Sequence, residues 1–271
     1  MVSLKYFFKN TSRRIRLLFA SLLLSPGIAF SQSHFPHLQA HAHNDYEHAR
    51  PLKDALANGF ISVEADVHLQ NDKLLVSHNR PGPKAQTLEQ LYLKPIDSLL
   101  SVNRGKVYPD FEGPFFLMID CKTDAESTLL AIQKELKQYP MLLCLSQNCA
   151  VKIFLSGNRD LSTMMKEGYR GIGLDGRPSD LGKNYSNELM PVISDHFRNW
   201  SRWNGKSKPS IEDLEKVKTL AARVHAEGKK LRLWAIPDNE TAWEALLAAG
   251  IDLINTDQLL ELNQFLSNHK P

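Results

Sequence analysis

Phe60-Ile61-Ser62-Val63-Glu64-Ala65-Asp66 is apolar along most of its length, yet it carries two carboxylates on one parity. A short, nearly continuous apolar run reads as a strand buried on both faces, the situation of a parallel sheet covered by helices. Working outward, runs of the same kind recur at 38–42, 115–121, 151–156, 171–174, 191–194, 231–236 and 251–255. Stretches with helical spacing lie between most of them. Ile211, Leu214, Val217, Leu220 and Val224 form the clearest stripe, entered through Pro209-Ser210, a good N-cap site, and Leu129, Ile132 and Leu136 form another. Eight strand–helix units with no linker and no internal repeat predict one closed parallel barrel, a TIM-type (β/α)8 fold over residues 32–271.

Two features interrupt the alternation. Residues 73–78 predict an extra strand reached through the turn Asn71-Asp72, and a long insertion follows at 81–114, with Thr87 and Gln90 spaced as a capping box. Insertions after barrel strands fall on the catalytic face, so this one is expected to act as a lid or to touch substrate.

Side chains alternate along a strand, so Glu64 and Asp66 point the same way, as do Asp120 and Lys122 in Met118-Ile119-Asp120-Cys121-Lys122. Carboxylates gathered on buried strands repel unless a cation sits among them. A rim ion pair with Lys or Arg is the simpler alternative. Three carboxylates, Glu64, Asp66 and Asp120, make an oxygen donor set suited to one divalent cation, Mg²⁺ or Ca²⁺, rather than to Zn²⁺. Lys122 then serves either substrate phosphate or a carboxylate neighbour. His78 closes the extra strand, and His41-Ala42-His43-Asn44 ends the first one. A histidine from each, beside an oxygen-ligated cation, forms an acid/base pair able to move protons across a phosphodiester.

The chain has 271 residues, with 33 basic against 30 acidic. Residues 1–31 hold five of the basic residues and no acidic one, followed by the apolar run 17–24 and Ala29-Phe30-Ser31, and they read as a secretory signal peptide. Removing those five leaves 28 positive against 30 negative charges, a balance that argues against a nucleic-acid partner. The expectation is an exported protein, periplasmic or secreted, with no transmembrane segment once the leader is cleaved. Cys144 and Cys149 are close enough to pair, and Cys121 falls in an apolar run that should bury it.

A His-bearing first strand, Glu64-x-Asp66 fourteen residues before His78, an acidic-x-Lys strand and the closing Gly250-Ile251-Asp252-Leu253-Ile254-Asn255-Thr256-Asp257 resemble the glycerophosphodiester phosphodiesterase and phosphatidylinositol-phospholipase-C-like superfamily. The resemblance runs from His41 to Asp257. His41-x-x-Asn44 and Asp120-x-Lys122-Thr123 are closer to its sphingomyelinase-D-like branch. The segment His41-Ala42-His43-Asn44-Asp45-Tyr46 looks like that of a branch related to a fungal mitochondrial-inheritance protein.

The resemblance implies a barrel that cleaves a small phosphodiester or lysophospholipid, by hydrolysis or through a cyclic phosphate. The His-x-x-Asn match selects His41 as the partner of His78. His43, Asn44, Lys122 and Trp234 are then substrate-binding. Two rivals remain: an amidohydrolase-like two-metal hydrolase built on His41 and His43, and a barrel that binds a phospho-head-group without turning it over.

Overall fold

A computed structural model describes residues 36–145, 148–167 and 171–269. The leader expected at 1–31 lies outside the described residues. Among the described residues the nine strands are β1 (His37–Ala42), β2 (Phe60–Gln70), β3 (Lys73–Val76), β4 (Phe115–Cys121), β5 (Val151–Gly157), β6 (Ile172–Gly176), β7 (Val192–His196), β8 (Lys230–Trp234) and β9 (Leu253–Thr256). Eight run parallel in the order β1-β9-β8-β7-β6-β5-β4-β2, and β1 pairs with β2 to close the barrel. β3 lies outside the ring as an antiparallel partner of β2's far end. The expected TIM-type barrel with its extra strand is the observed fold.

The helices are α1 (Lys53–Ala57), α2 (Lys94–Val102), α3 (Ala125–Leu136), α4 (Leu161–Glu167), α5 (Ile211–Ala226), α6 (Glu240–Ala248) and α7 (Leu259–Asn268). One crossover departs from the eightfold expectation: β6 reaches β7 through a single 3₁₀ turn, Pro178–Asp180, with no α-helix. α5 begins as its sequence predicts, with Ser210 and Asp213 in a reciprocal capping box. Its stripe packs Leu214, Val217, Leu220 and Val224 against the barrel, while Ile211 stays in solvent. No described helix is long and apolar enough to cross a membrane.

Parity divides the barrel into layers. Phe115, Leu117 and Ile119 of β4 face outward into the main core beneath the helices. Phe116 and Met118 face inward and join Ile61, Phe154, Val192 and Leu253 in an apolar plug. The next inward positions of β4, Asp120 and the following Lys122, are polar. The interior is therefore dry at the floor and charged at the C-terminal ends of the strands, where barrel enzymes place their chemistry.

The insertion at 81–114 is not the expected lid, since none of its residues lines the cavity described below. Its capping box forms, with Thr87 and Gln90 bonded both ways. Leu88, Tyr92, Leu93, Ile96 and Leu100 are fully buried in the outer core. The segment thus supplies the helical crossover from β2 to β4, because its apolar residues have more surface to bury against the barrel wall than over an open mouth.

Tyr92 Oη donates to Asp45 Oδ2 at 2.8 Å, and the Leu52 amide donates to the same oxygen at 2.6 Å. Asp45 Oδ1 is buried without a partner among the described residues. Burial outweighs the two donors and pushes the Asp45 carboxyl up to about 6. A folded-state value above the unfolded one favours folding fully at low pH, a contribution lost as pH rises through about 6. Asp45→Asn keeps an acceptor for both donors. Urea unfolding is expected to show that wild type loses about 3 kcal/mol relative to this variant between about pH 4 and 7; parallel stability curves would refute the assignment.

Cys144 and Cys149 are joined in a disulfide. Cys121 is free and buried, and burial pushes its thiol up to about 12, which makes it unreactive at neutral pH.

Candidate active site

β2 and β4 are neighbours in register, with Asp66 opposite Asp120 and Glu64 opposite Met118. Inward parity on two adjacent strands therefore brings the three acidic side chains together. One oxygen from each of Glu64, Asp66 and Asp120 lies within 4.8 Å of the others. They form one wall of a cavity of about 360 Å³ that His43, Asn44, His78, Lys122 and Trp234 also line.

Asp66 is the hub. Its Oδ2 accepts from Lys122 Nζ at 2.9 Å, His78 Nδ1 at 3.0 Å and Tyr46 Oη at 2.9 Å. Its Oδ1 is buried and has no hydrogen-bond partner among the described residues. A charged oxygen left bare in a low-dielectric pocket is costly. Burial raises the Asp120 carboxyl, and the charges of Glu64 and Asp66 add to that while Lys122 opposes it. An orphaned carboxylate oxygen and a mutually repelling trio fit a hard, oxygen-ligated cation.

Two cations of the protein already share this wall. Lys122 pairs with Asp66 and, at 3.3 Å, with Asp120. Arg232, 3% exposed inside the barrel, donates from Nη2 to Glu64 Oε2 at 2.8 Å. Burial would raise the Glu64 carboxyl, but Arg232 and His41 hold it down to about 2. Glu64 thus remains ionised beside the site at any pH near neutrality.

The two first-strand histidines part company. His41 does not line the cavity and is wholly buried, with Nδ1 2.6 Å from Ser62 Oγ and Nε2 3.4 Å from Glu64 Oε2. Burial, helped by Arg232, lowers its pKa to about 4. With both nitrogens engaged inside the barrel and no place in the cavity lining, His41 is not set against a substrate, in contrast to the catalytic role expected of it. His43 shares its parity but stands two residues, about 7 Å, further up the strand. It lines the cavity, and its Nδ1 donates to Asp257 Oδ1 at 2.8 Å. Burial lowers the His43 pKa, yet the Asp257 bond and the nearby carboxylates leave it raised overall.

His78 lies at the exposed side of the cavity, anchored to Asp66 through Nδ1. Asn44, in a left-handed conformation at φ 46°, offers Oδ1 to the same Tyr46 hydroxyl, 2.8 Å away. Trp234 is 40% exposed at the mouth and packs edge-on against His196, with ring centroids 4.2 Å apart.

Tyr46, Asp257, Arg232, Ser156 and Arg177 were not foreseen as site residues. For Arg232 a signal existed: it shares parity with Trp234, two residues on. Gly157, at the end of β5, is needed for space and conformation. Its φ is +65°, and a Cβ there would lie 2.1 Å from Asp120 Oδ1 and 2.6 Å from the Cys121 carbonyl oxygen.

Residues 30–148, which contain both histidines, all three carboxylates and Lys122, match the AIM6-like phosphodiesterase domain. The chain is 31% identical over 268 residues to altered inheritance of mitochondria protein 6 of Eremothecium gossypii, covering 84% of this chain and 69% of that one. The chain belongs to the AIM6-like phosphodiesterase family. A homologous AIM6 protein of Arthroderma benhamiae is 26% identical with 82% of each chain covered, and the Saccharomyces cerevisiae protein is 25% identical, covering 82% of this chain and 69% of its own.

AIM6-like membership agrees with the fungal mitochondrial-inheritance branch singled out by His41-Ala42-His43-Asn44-Asp45-Tyr46. It overturns the expectation of an exported, periplasmic or secreted protein, because these relatives are fungal and named for altered inheritance of mitochondria. A basic amino-terminal stretch without acidic residues is shared by export signals and mitochondrial presequences, so the pattern did not select a compartment. The two-metal rival also loses its footing. His41 is committed to Ser62 and Glu64, and the one candidate metal-ligand group among the described residues is all carboxylate.

Proposed function

We propose that this chain is a divalent-cation-dependent phosphodiesterase in which His43 and His78 are the acid/base pair. The observation that carries the reading is the convergence of an orphaned Asp66 oxygen, two further carboxylates and Lys122 on a cavity that both histidines line. Glu64, Asp66 and Asp120 would hold Mg²⁺ or Ca²⁺. When bound, such an ion supplies charge neutralisation at a non-bridging phosphate oxygen.

The chain's own groups do the rest. Lys122 presents an ammonium to the same phosphate. One histidine takes the proton of the attacking hydroxyl, from water or from the substrate itself, and the other gives a proton to the departing alkoxide. Asp257 holds His43 by Nδ1 and Asp66 holds His78 by Nδ1, so each ring would present Nε2 to the substrate. Trp234 and Asn44 would contact the alcohol and the phosphate. The substrate class is a small glycerophosphodiester or lysophospholipid.

Cleavage of bis-p-nitrophenyl phosphate tests this. Activity is expected with Mg²⁺ or Ca²⁺, abolished by chelator and restored by adding the ion back. A protein that binds phosphodiesters but is inert with every divalent ion would instead be a phospho-head-group binder. Phosphorus NMR of the products distinguishes a cyclic phosphate from direct hydrolysis.

A further inference from the structure

Across the cavity from the carboxylates stands a second group of charges. Ser156 is the register partner of Asp120, and β6 follows β5 in the barrel. Arg177, just beyond β6, therefore lies roughly two strand spacings, about 10 Å, from the carboxylate wall. Arg177 lines the cavity, and Arg159 stands close enough for their charges to oppose each other.

The donors of these two guanidiniums are unequally used. Arg177 Nη1 is spent on Asp175 Oδ2 at 2.7 Å and on the carbonyls of Asp175 and Gly176. Its Nη2 has one long contact, 3.4 Å to Ser156 Oγ. Arg159 Nη2 has one equally long contact, to Asp180 Oδ2. Asp180 also serves Lys183 and the Arg177 amide, and Asp175 also accepts from Ser156. Three cationic side chains thus share two carboxylates, a net excess of one positive charge within this group. Burial, then the Arg177 charge, lowers the pKa of Arg159. Like-charged guanidiniums held together with spare donors beside a cavity describe half of an anion site.

We infer that Arg177, with Arg159 behind it, binds a second anionic group of the substrate, so that the preferred phosphodiester carries a phosphate or carboxylate on the alcohol that lies toward β5 and β6. This rests on the phosphodiesterase reading for its substrate but not for its binding.

The test compares sn-glycero-3-phosphoglycerol with the same diester bearing a terminal phosphomonoester. Binding is measured by calorimetry on a His78→Gln variant with Mg²⁺, where both ligands stay intact, and turnover is measured on the native protein. The phosphorylated diester is expected to bind at least 10-fold tighter. Arg177→Gln should reduce that ratio to near 1, and Arg177→Lys should keep part of it. Equal binding of the two diesters with the native arginines, or a preference that survives Arg177→Gln, overturns the inference. Should Arg177→Gln fail to fold, the native comparison still decides, and Arg159→Gln, expected to lower the ratio, replaces it. Selective binding without turnover of either diester would leave the anion site standing and sink the phosphodiesterase reading instead.

Discussion

Alanine at His43 or at His78 is expected to lower kcat by about 10²–10⁴ on a diester with an alkoxide leaving group, the usual range for a lost general acid or base. The two variants should separate when the leaving group is changed. p-Nitrophenolate departs without protonation, so the variant lacking the general acid should regain most of its rate on bis-p-nitrophenyl phosphate. The variant lacking the base should stay slow on both substrates. Asp257 raises the basicity of His43, which makes His43 the expected base and His78 the expected acid. His41→Gln serves as the contrast, since His41 touches Ser62 and Glu64 from behind and does not itself line the cavity. Its loss should act through stability and cation affinity. Full activity in His43→Ala, or a loss of rate in His41→Gln with cation binding intact, would return the catalytic role to His41.

Arg232→Ala is expected to be the most destabilising single change in the barrel interior. Arg232 and Glu64 are both nearly excluded from solvent and joined at 2.8 Å. Removing one member of a buried pair leaves the other charge uncompensated, at a cost of about 3–5 kcal/mol. In a chain of this size that is on the order of 10 °C in Tm. Because Glu64 titrates below its unfolded value, the pair's contribution is present above about pH 4.5 and lost as pH falls toward 2. The difference between wild type and variant should shrink accordingly in acid. Mg²⁺ or Ca²⁺ should restore part of the lost Tm, because an ion that binds only the folded state stabilises it by mass action and would replace the missing positive charge beside Glu64. Differential scanning calorimetry with and without the ion measures both effects. An unchanged Tm would show that the pair contributes no net stability, and equal ion-induced shifts in both proteins would show that Arg232 and the ion do not compensate the same carboxylate.

The donor set was legible because it depends on short-range order. Glu64, Asp66, Asp120 and Lys122 lie on strands whose period of two can be read along the chain, and barrel topology then makes those strands neighbours. The expectation that the insertion at 81–114 covers the site or touches substrate fails for a related reason. Its length was visible, but the surface that its apolar residues cover belongs to other parts of the chain.

By itself, the sequence determined the eight parallel strands, the extra strand before His78, and the three acidic side chains that share the barrel's inner face. Those follow from side-chain alternation and from apolar runs that need helices to cover them. The tertiary structure decided that His43, and not His41, reaches the cavity, and that Arg232 neutralises Glu64 from 168 residues away. Alternation tells inside from outside, but depth within the cylinder depends on how tilted strands are staggered against one another. An ion pair across its interior joins residues whose proximity no local pattern records.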